Sequence, residues 1–314
     1  MADLLENVFN EHAETAGQGA APEAAPFDVE AYKKRKQDEV EQAFRLVEDE
    51  TVALGQFDGL HSFLDVRAQF DRYSVSNVLL IAAQRPDAIK LASYTDWAEK
   101  DAQVKKGEHS ILLFDKVKEY TKRDGTPGKQ YQVKRVFDIK QTTAKTYPAM
   151  PTPPSNKELL LGLLKASPVE CVLEYDWDAD RGIEYSAQDN KLHVPKALST
   201  DERVGVISIM QKICLMRTMG DNKASLPPEE MAKANFRAYC TSYILCKRYA
   251  IPPDMFPEGT AKTPFAGMKS QEIRQELEHI SKEANNISYV VGKIQHPDKG
   301  EAGKKNSRRS NGKG

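Results

Sequence analysis

Met210, Gln211 and Cys214 sit in VGVISIMQKICLMRTMG (204–220) at a spacing that matters for hydrolytic chemistry. In a helix, residues four apart share a face. A zinc hydrolase uses that spacing to aim two histidines at one metal, with a glutamate beside the first as general base. Here the two ligand positions hold a thioether and a thiol, and the base position holds an amide. Three readings follow: a metal site, a metal site that has lost its ligands, or core. Catalytic zinc typically takes three protein ligands of imidazole, thiolate or carboxylate type plus an open position for water. This stretch offers one thiol, and Gln211 cannot accept a proton from water as a carboxylate does. Rescue would require His193, Cys240 and Cys246 to converge on Cys214, and nothing in their spacing suggests it. Core is the favoured reading: Val206, Met210, Ile213 and Cys214 form one buried face, packed on a helix over 235–249 that turns Cys240, Tyr243 and Ile244 toward it.

The elements that would position this stretch are readable from periodicity. GQGAAPEAAP (17–26) has no apolar pattern, so residues 1–27 are expected to be a disordered arm. Tyr32, Val40, Phe44, Val47 and Leu54 recur at roughly helical spacing, and Leu64–Ala83 predicts a second, more apolar helix. SILLFDKV and QYQVKRVFDI alternate apolar with charged residues around KRDGTPGK, which predicts an antiparallel hairpin turning at Asp124-Gly125 and Pro127-Gly128. YPAMPTPPSN (147–156) reads as an interdomain linker. Beyond it come a helix over 156–166, short strands in CVLEYD and GIEYSAQDNKLHVP, the MQKIC helix, a helix over 229–249 opened by PPEE, and a charged helix over 269–290. HPDKGEAGKKNSRRSNGKG predicts a disordered tail.

At 314 residues and 40% hydrophobic content, the chain can build two ordinary cores or one large one. Its net charge of −1 hides an asymmetry. Residues 1–58 carry 14 acids and 5 bases, residues 105–145 carry 5 acids and 11 bases, and residues 293–314 carry 2 acids and 7 bases. The excess over 105–145 fits either a solvated lysine-rich hairpin or a surface for a polyanion such as nucleic acid. No apolar run is long enough to span a bilayer and MADLLENVFNEHAE is acidic, which predicts a cytoplasmic protein. The four cysteines form no CxxC pair and are expected to be free.

Within 60–142, Arg72, Tyr73, Trp97, Lys105 and Lys106 combine cations with aromatic faces, the two kinds of group that hold single-stranded nucleic acid. Gly107 would let the chain turn sharply after the lysines. Each residue also has a structural reading: Tyr73 and Trp97 as core aromatics, Asn77 as a helix or turn partner, and Asp138 with Gln141 as the lock on the hairpin end. RYSVSNVLLIAAQRPDA (72–88), YTDWAEKDAQVKKGEHSILLF (94–114) and KRVFDIKQT (134–142) together resemble the N-terminal single-stranded-DNA-binding domain of antirestriction proteins of the ArdC type, found on conjugative plasmids and integrative elements. The resemblance implies DNA contacts at Arg72, Tyr73, Asn77, Trp97, Lys105, Lys106 and Gln141.

In that family the second domain is a zincin-like metallopeptidase. YSAQDNKLHVP (185–195) and NFRAYCTSYILCKRYAI (235–251) resemble the strand before its HExxH helix and its later helix. On that alignment Met210 and Cys214 replace the two histidines, Gln211 replaces the base, and Tyr239 or Ala238 replaces the third ligand. The expectation is an α+β protein of two domains: a helix-plus-antiparallel-hairpin domain over 28–146 that binds single-stranded DNA, a linker over 147–157, and a mainly helical zincin-like domain lacking HExxH over 158–292, followed by a basic disordered tail over 293–314. It is expected to be no enzyme, with no cofactor, no metal and no membrane association. The rival readings are a module that binds proteins of the restriction or conjugation machinery and a residual zinc peptidase.

Overall fold

The computed structural model describes residues 28–297 except 56, 116, 123, 146–151, 175–181, 200–201, 222–224, 253–263 and 266. The expected arm (1–27), most of the expected tail and the first half of the expected linker lie outside the described residues. The protein is α+β. The chain divides into two compact units, Met1–Asp38 and Glu39–Gly314, so the second runs across the proline-rich 147–157 stretch. No helix among the described residues is long and apolar enough to cross a membrane.

Helix α1 (Val29–Ala53) buries Glu39, Ala43, Val47 and Thr51 at four-residue spacing. Phe44, expected on the apolar stripe, instead stands 44% exposed. The single helix predicted over 64–83 is two, α2 (Phe57–Gln69) and α3 (Val75–Gln84). Two features cause the break. Ser74 has an extended backbone and caps α3 by accepting from the Asn77 amide. Arg67, only 3% exposed, donates to the carbonyls of Asp71 (2.6 Å) and Tyr73 (2.5 Å), fastening the corner between the helices.

Next come β1 (Leu91–Ala92), a short helix α4 (Tyr94–Ala98), and the strands β2 (Ile111–Phe114), β3 (Lys118–Thr121), β4 (Pro127–Gln130) and β5 (Val133–Asp138). The order β1-β5-β2 makes an antiparallel sheet, while β3 and β4 pair separately. Between the pairs Phe114↔Val133 and Lys118↔Gln130 the first strand advances four residues and the second three. The two pairings are therefore one residue out of step, and β3–β4 pair apart from the β1-β5-β2 sheet. The turn lies at Asp124-Gly125, where Gly125 has φ +82° and Asp124 accepts from the Thr126 amide. Pro127 and Gly128, expected in the turn, belong to β4. The Tyr120 ring covers Gly128 so closely that a Cβ there would meet it at 2.6 Å.

The remaining elements are α5 (Asn156–Ala166), β6 (Glu170–Glu174), β7 (Glu184–Ser186), β8 (Lys191–Pro195), α6 (Glu202–Thr218), α7 (Pro228–Arg248) and α8 (Ser270–Gln295). Strand β8 pairs parallel to β6 and antiparallel to β7. Helix α8 runs through Gln295, into the stretch expected to begin the tail. Helix α7 is the hub, buried at nearly every position from Ala238 to Cys246 except Tyr239. Its Cys240, Tyr243 and Ile244 join a core with Phe63 and Leu64 of α2, Leu79 of α3, Leu113 of β2 and Leu277 of α8. Its Leu245 and Cys246 join a second core with Leu163 of α5, Leu192 of β8, Met210, Ile213 and Cys214 of α6, and Val291 of α8. The expectation that Cys240, Tyr243 and Ile244 face the MQKIC helix is therefore corrected. Helix α7 is covered on two sides, and those three residues point to the side covered by α2.

Candidate nucleic-acid interface

The motif around KRVFDIKQT builds one buried node. Asp138 is fully buried: its Oδ1 accepts from the amides of Ile89 (2.7 Å) and Lys90 (2.9 Å), and its Oδ2 from that of Lys140 (3.0 Å). Gln141, 2% exposed, accepts from the Asp138 amide at 2.8 Å and donates to Glu108 (2.9 Å) and the His109 carbonyl (2.8 Å). Three chain segments thus meet at one reciprocally capped turn.

That node presents the lysines. The Lys105 amide donates to the Gln141 carbonyl (2.9 Å), and its Nζ reaches the Lys140 carbonyl (3.0 Å). The Glu108 amide closes the turn on the Lys105 carbonyl, with Gly107 at φ +88°, where a side chain would be strained. Lys105 and Lys106 are both exposed at this turn. Arg72 is exposed at the α2–α3 corner, on a backbone fastened by Arg67. Burial, with Arg248 nearby, lowers the Arg67 pKa to about 10, so the guanidinium remains charged at neutral pH.

The other candidates have structural partners. Tyr73 is half-buried, edge-on to Phe70 at 5.7 Å, and burial raises its phenol pKa. Trp97 is 2% exposed, its indole donating to the Phe137 carbonyl at 2.9 Å. Its ring therefore has no open face for a base, and the stacking role expected of Trp97 is corrected to core. Asn77, 9% exposed, donates to the Phe114 carbonyl (3.0 Å) and accepts from the Phe114 amide (2.8 Å). Gln84 does the same to Leu112, at 3.0 and 2.9 Å. Seven residues apart on α3, the two amides satisfy the outward backbone groups of the edge strand β2, closing it to further strand pairing. Asn77 and Gln141 are thus scaffold, not surface. The role of Gln84 was missed, although its i, i+7 relation to Asn77 was present in the sequence.

At MQKIC the ligand positions do not suit a metal. Met210 is fully buried with its sulfur 3.8 Å from Cys246, and Cys214 is 1% exposed. Burial pushes the thiols of Cys214 and Cys246 up to about 12 and raises that of Cys240, so they sit in this core as neutral thiols. Tyr239, in the third-ligand position, hydrogen-bonds His61 at 2.9 Å. His193 lies between Glu174 (3.1 Å) and Asp189 (3.0 Å), not beside the cysteines. Among the described residues no three His, Cys, Asp or Glu side chains are grouped to hold a metal ion. An apolar cavity of about 390 Å³ beside α6 is lined by residues including Leu160, Cys171, Leu173, Val194 and Ile209, with no histidine or carboxylate among its described lining residues.

Residues 55–147 match the family model for the N-terminal domain of anti-restriction factor ArdC. Among solved structures the fold is similar to the Mn(II)-bound antirestriction ArdC protein from R388 plasmid, at TM-score 0.52 and 13% identity over 79% of this chain and 97% of that one. The metal-free structure of the same protein aligns at TM-score 0.47 and 15% identity, covering 70% and 85%. No curated protein matches the chain.

Proposed function

We propose that this chain, an ArdC-type protein by the family match over 55–147, binds single-stranded DNA through residues 28–146 and carries over 158–292 a metallopeptidase-like domain without catalytic activity. One observation carries the first half: within the matched segment, a buried Asp138–Gln141 node presents the exposed Lys105 and Lys106 on a strapped turn. Cations held on a rigid turn suit phosphates, which carry no sequence information, and this fits binding without strong sequence preference. Arg72 is the third cation of this reading. The setting that fits is a cytoplasmic one on a mobile element, where an incoming single strand is coated during transfer and restriction is avoided. The test is binding by the whole chain, which should retain labelled single strands in preference to duplex of the same sequence. Equal retention of both would remove the reading.

The second half rests on MQKIC as core. The purified protein is expected to hold no stoichiometric zinc after dialysis and to unfold at the same temperature with or without a strong chelator, because no metal contributes to folding. Substituting Met210→His, Gln211→Glu and Cys214→His together should not restore hydrolysis, since Tyr239 still offers no carboxylate. It should destabilise the protein by about 1–3 kcal/mol for each polar group left unpaired in the core. One equivalent of tightly held zinc in the unmodified protein, by elemental analysis, would overturn this half.

A further inference from the structure

Stacking of bases on aromatic side chains is the other source of single-strand affinity, and of the aromatics suggested by the motifs Trp97 is buried and Tyr73 is half-buried against Phe70. An exposed aromatic group exists elsewhere. Phe44 of α1 lies 4.8 Å from Phe114 of β2 and 5.0 Å from Tyr131, between ring centroids, and Phe114 and Tyr131 are 6.1 Å apart. Phe44 is 44% and Tyr131 39% exposed. Isolated exposed aromatics are ordinary, but rings in mutual contact make a contiguous apolar patch, which calls for an occupant.

We propose that Phe44, Phe114 and Tyr131 form a platform on which unpaired bases of a single DNA strand stack. This rests on the single-strand-binding reading above. Charge complementarity selects the occupant. The β-ribbon that carries Phe114 and Tyr131, residues 111–138, has seven Lys and Arg against four Asp and Glu, and one of those acids, Asp138, is consumed inside the node. Lys134 and Arg135, just along β5 from Tyr131, are exposed, Arg135 even while paired with Glu39 at 2.5 Å. Phosphates therefore find cations beside a surface that offers bases a π-face, the combination that binds single strands irrespective of sequence. Tyr131 lies just before β5 and the Lys105 turn is strapped just after it. The six residues of β5 span roughly 20 Å, a length one strand can follow from turn to platform.

The platform also gives Asn77 a place in function. By gripping both the amide and the carbonyl of Phe114, it fixes the backbone from which that ring projects, which makes it a positioning residue and not a contact.

The experiment compares labelled oligo-dT binding by the full chain with that by Tyr131→Ala and Phe44→Ala. Each variant is expected to bind about tenfold more weakly, with the dependence on salt unchanged, because a stacked base releases no counterions. In parallel, an oligo-dT carrying 5-iododeoxyuridine is photo-crosslinked to the unmodified chain, which keeps the test decisive where a variant unfolds. Crosslinks at Phe44, Phe114 or Tyr131 are expected. Wild-type binding with undiminished binding by folded variants, or crosslinks confined to other segments, would overturn the platform while leaving single-strand binding intact, and would assign the patch to a protein partner. Failure of the wild type to bind any single strand at low salt would overturn both.

Discussion

Asp138→Ala is expected to destabilise the protein by about 3–4 kcal/mol, among the largest effects of any single side chain in this fold. The carboxylate is fully buried and receives three backbone amides, from Ile89, Lys90 and Lys140. Alanine leaves those donors without a partner and out of reach of bulk water, and each orphaned donor costs about 1–3 kcal/mol before relaxation. Asp138→Asn keeps one acceptor oxygen and should cost roughly half as much. The midpoint of urea unfolding, read by circular dichroism, checks both. Because the node also straps the Lys105 turn through Gln141, the alanine variant should weaken DNA binding even where it stays folded. Equal midpoints for the alanine variant and the wild type would show that the three segments are held by something other than this carboxylate.

Changing Lys105 and Lys106 together to alanine acts on function with little effect on folding, since both side chains are exposed and the one bond lost is Lys105 Nζ to the Lys140 carbonyl. On the proposed reading, two phosphate contacts disappear. For single strands each contributes about 0.7 to the slope of log affinity against log salt, so the slope should shrink by about 1.4 and affinity at low salt should fall at least about tenfold. Lys105→Arg with Lys106→Arg should retain the slope. An unchanged slope in the alanine pair would put the strand's path elsewhere on the protein.

What the sequence disclosed follows from the range of the forces involved. Helices α1, α5, α6, α7 and α8 were legible because their apolar periodicity is local. The corner that splits 64–83 was not, because Arg67 makes it by reaching forward to Asp71 and Tyr73, and an arginine inside an apolar helix pattern reads as a surface residue. The roles of Asn77 and Trp97 were ambiguous for the same reason. Their partners, Phe114 and Phe137, lie 37 and 40 residues away and meet them only once the sheet has formed. The two-sided burial of α7 depends on α2 arriving from the other end of the chain. Residue types alone pointed to core at Met210 and Cys214, which are buried, whereas the exposure of Phe44 could not be read from a spacing that placed it on the buried stripe.

The central claim, that this chain binds single-stranded DNA through a fixed cationic surface, is tested most directly by titrating the full-length protein with a labelled single strand and its duplex across a salt series. The prediction is tighter binding to the single strand at every salt concentration, with log affinity falling linearly as log salt rises. Equal affinity for both forms, or no binding of the single strand at the lowest salt, would contradict it.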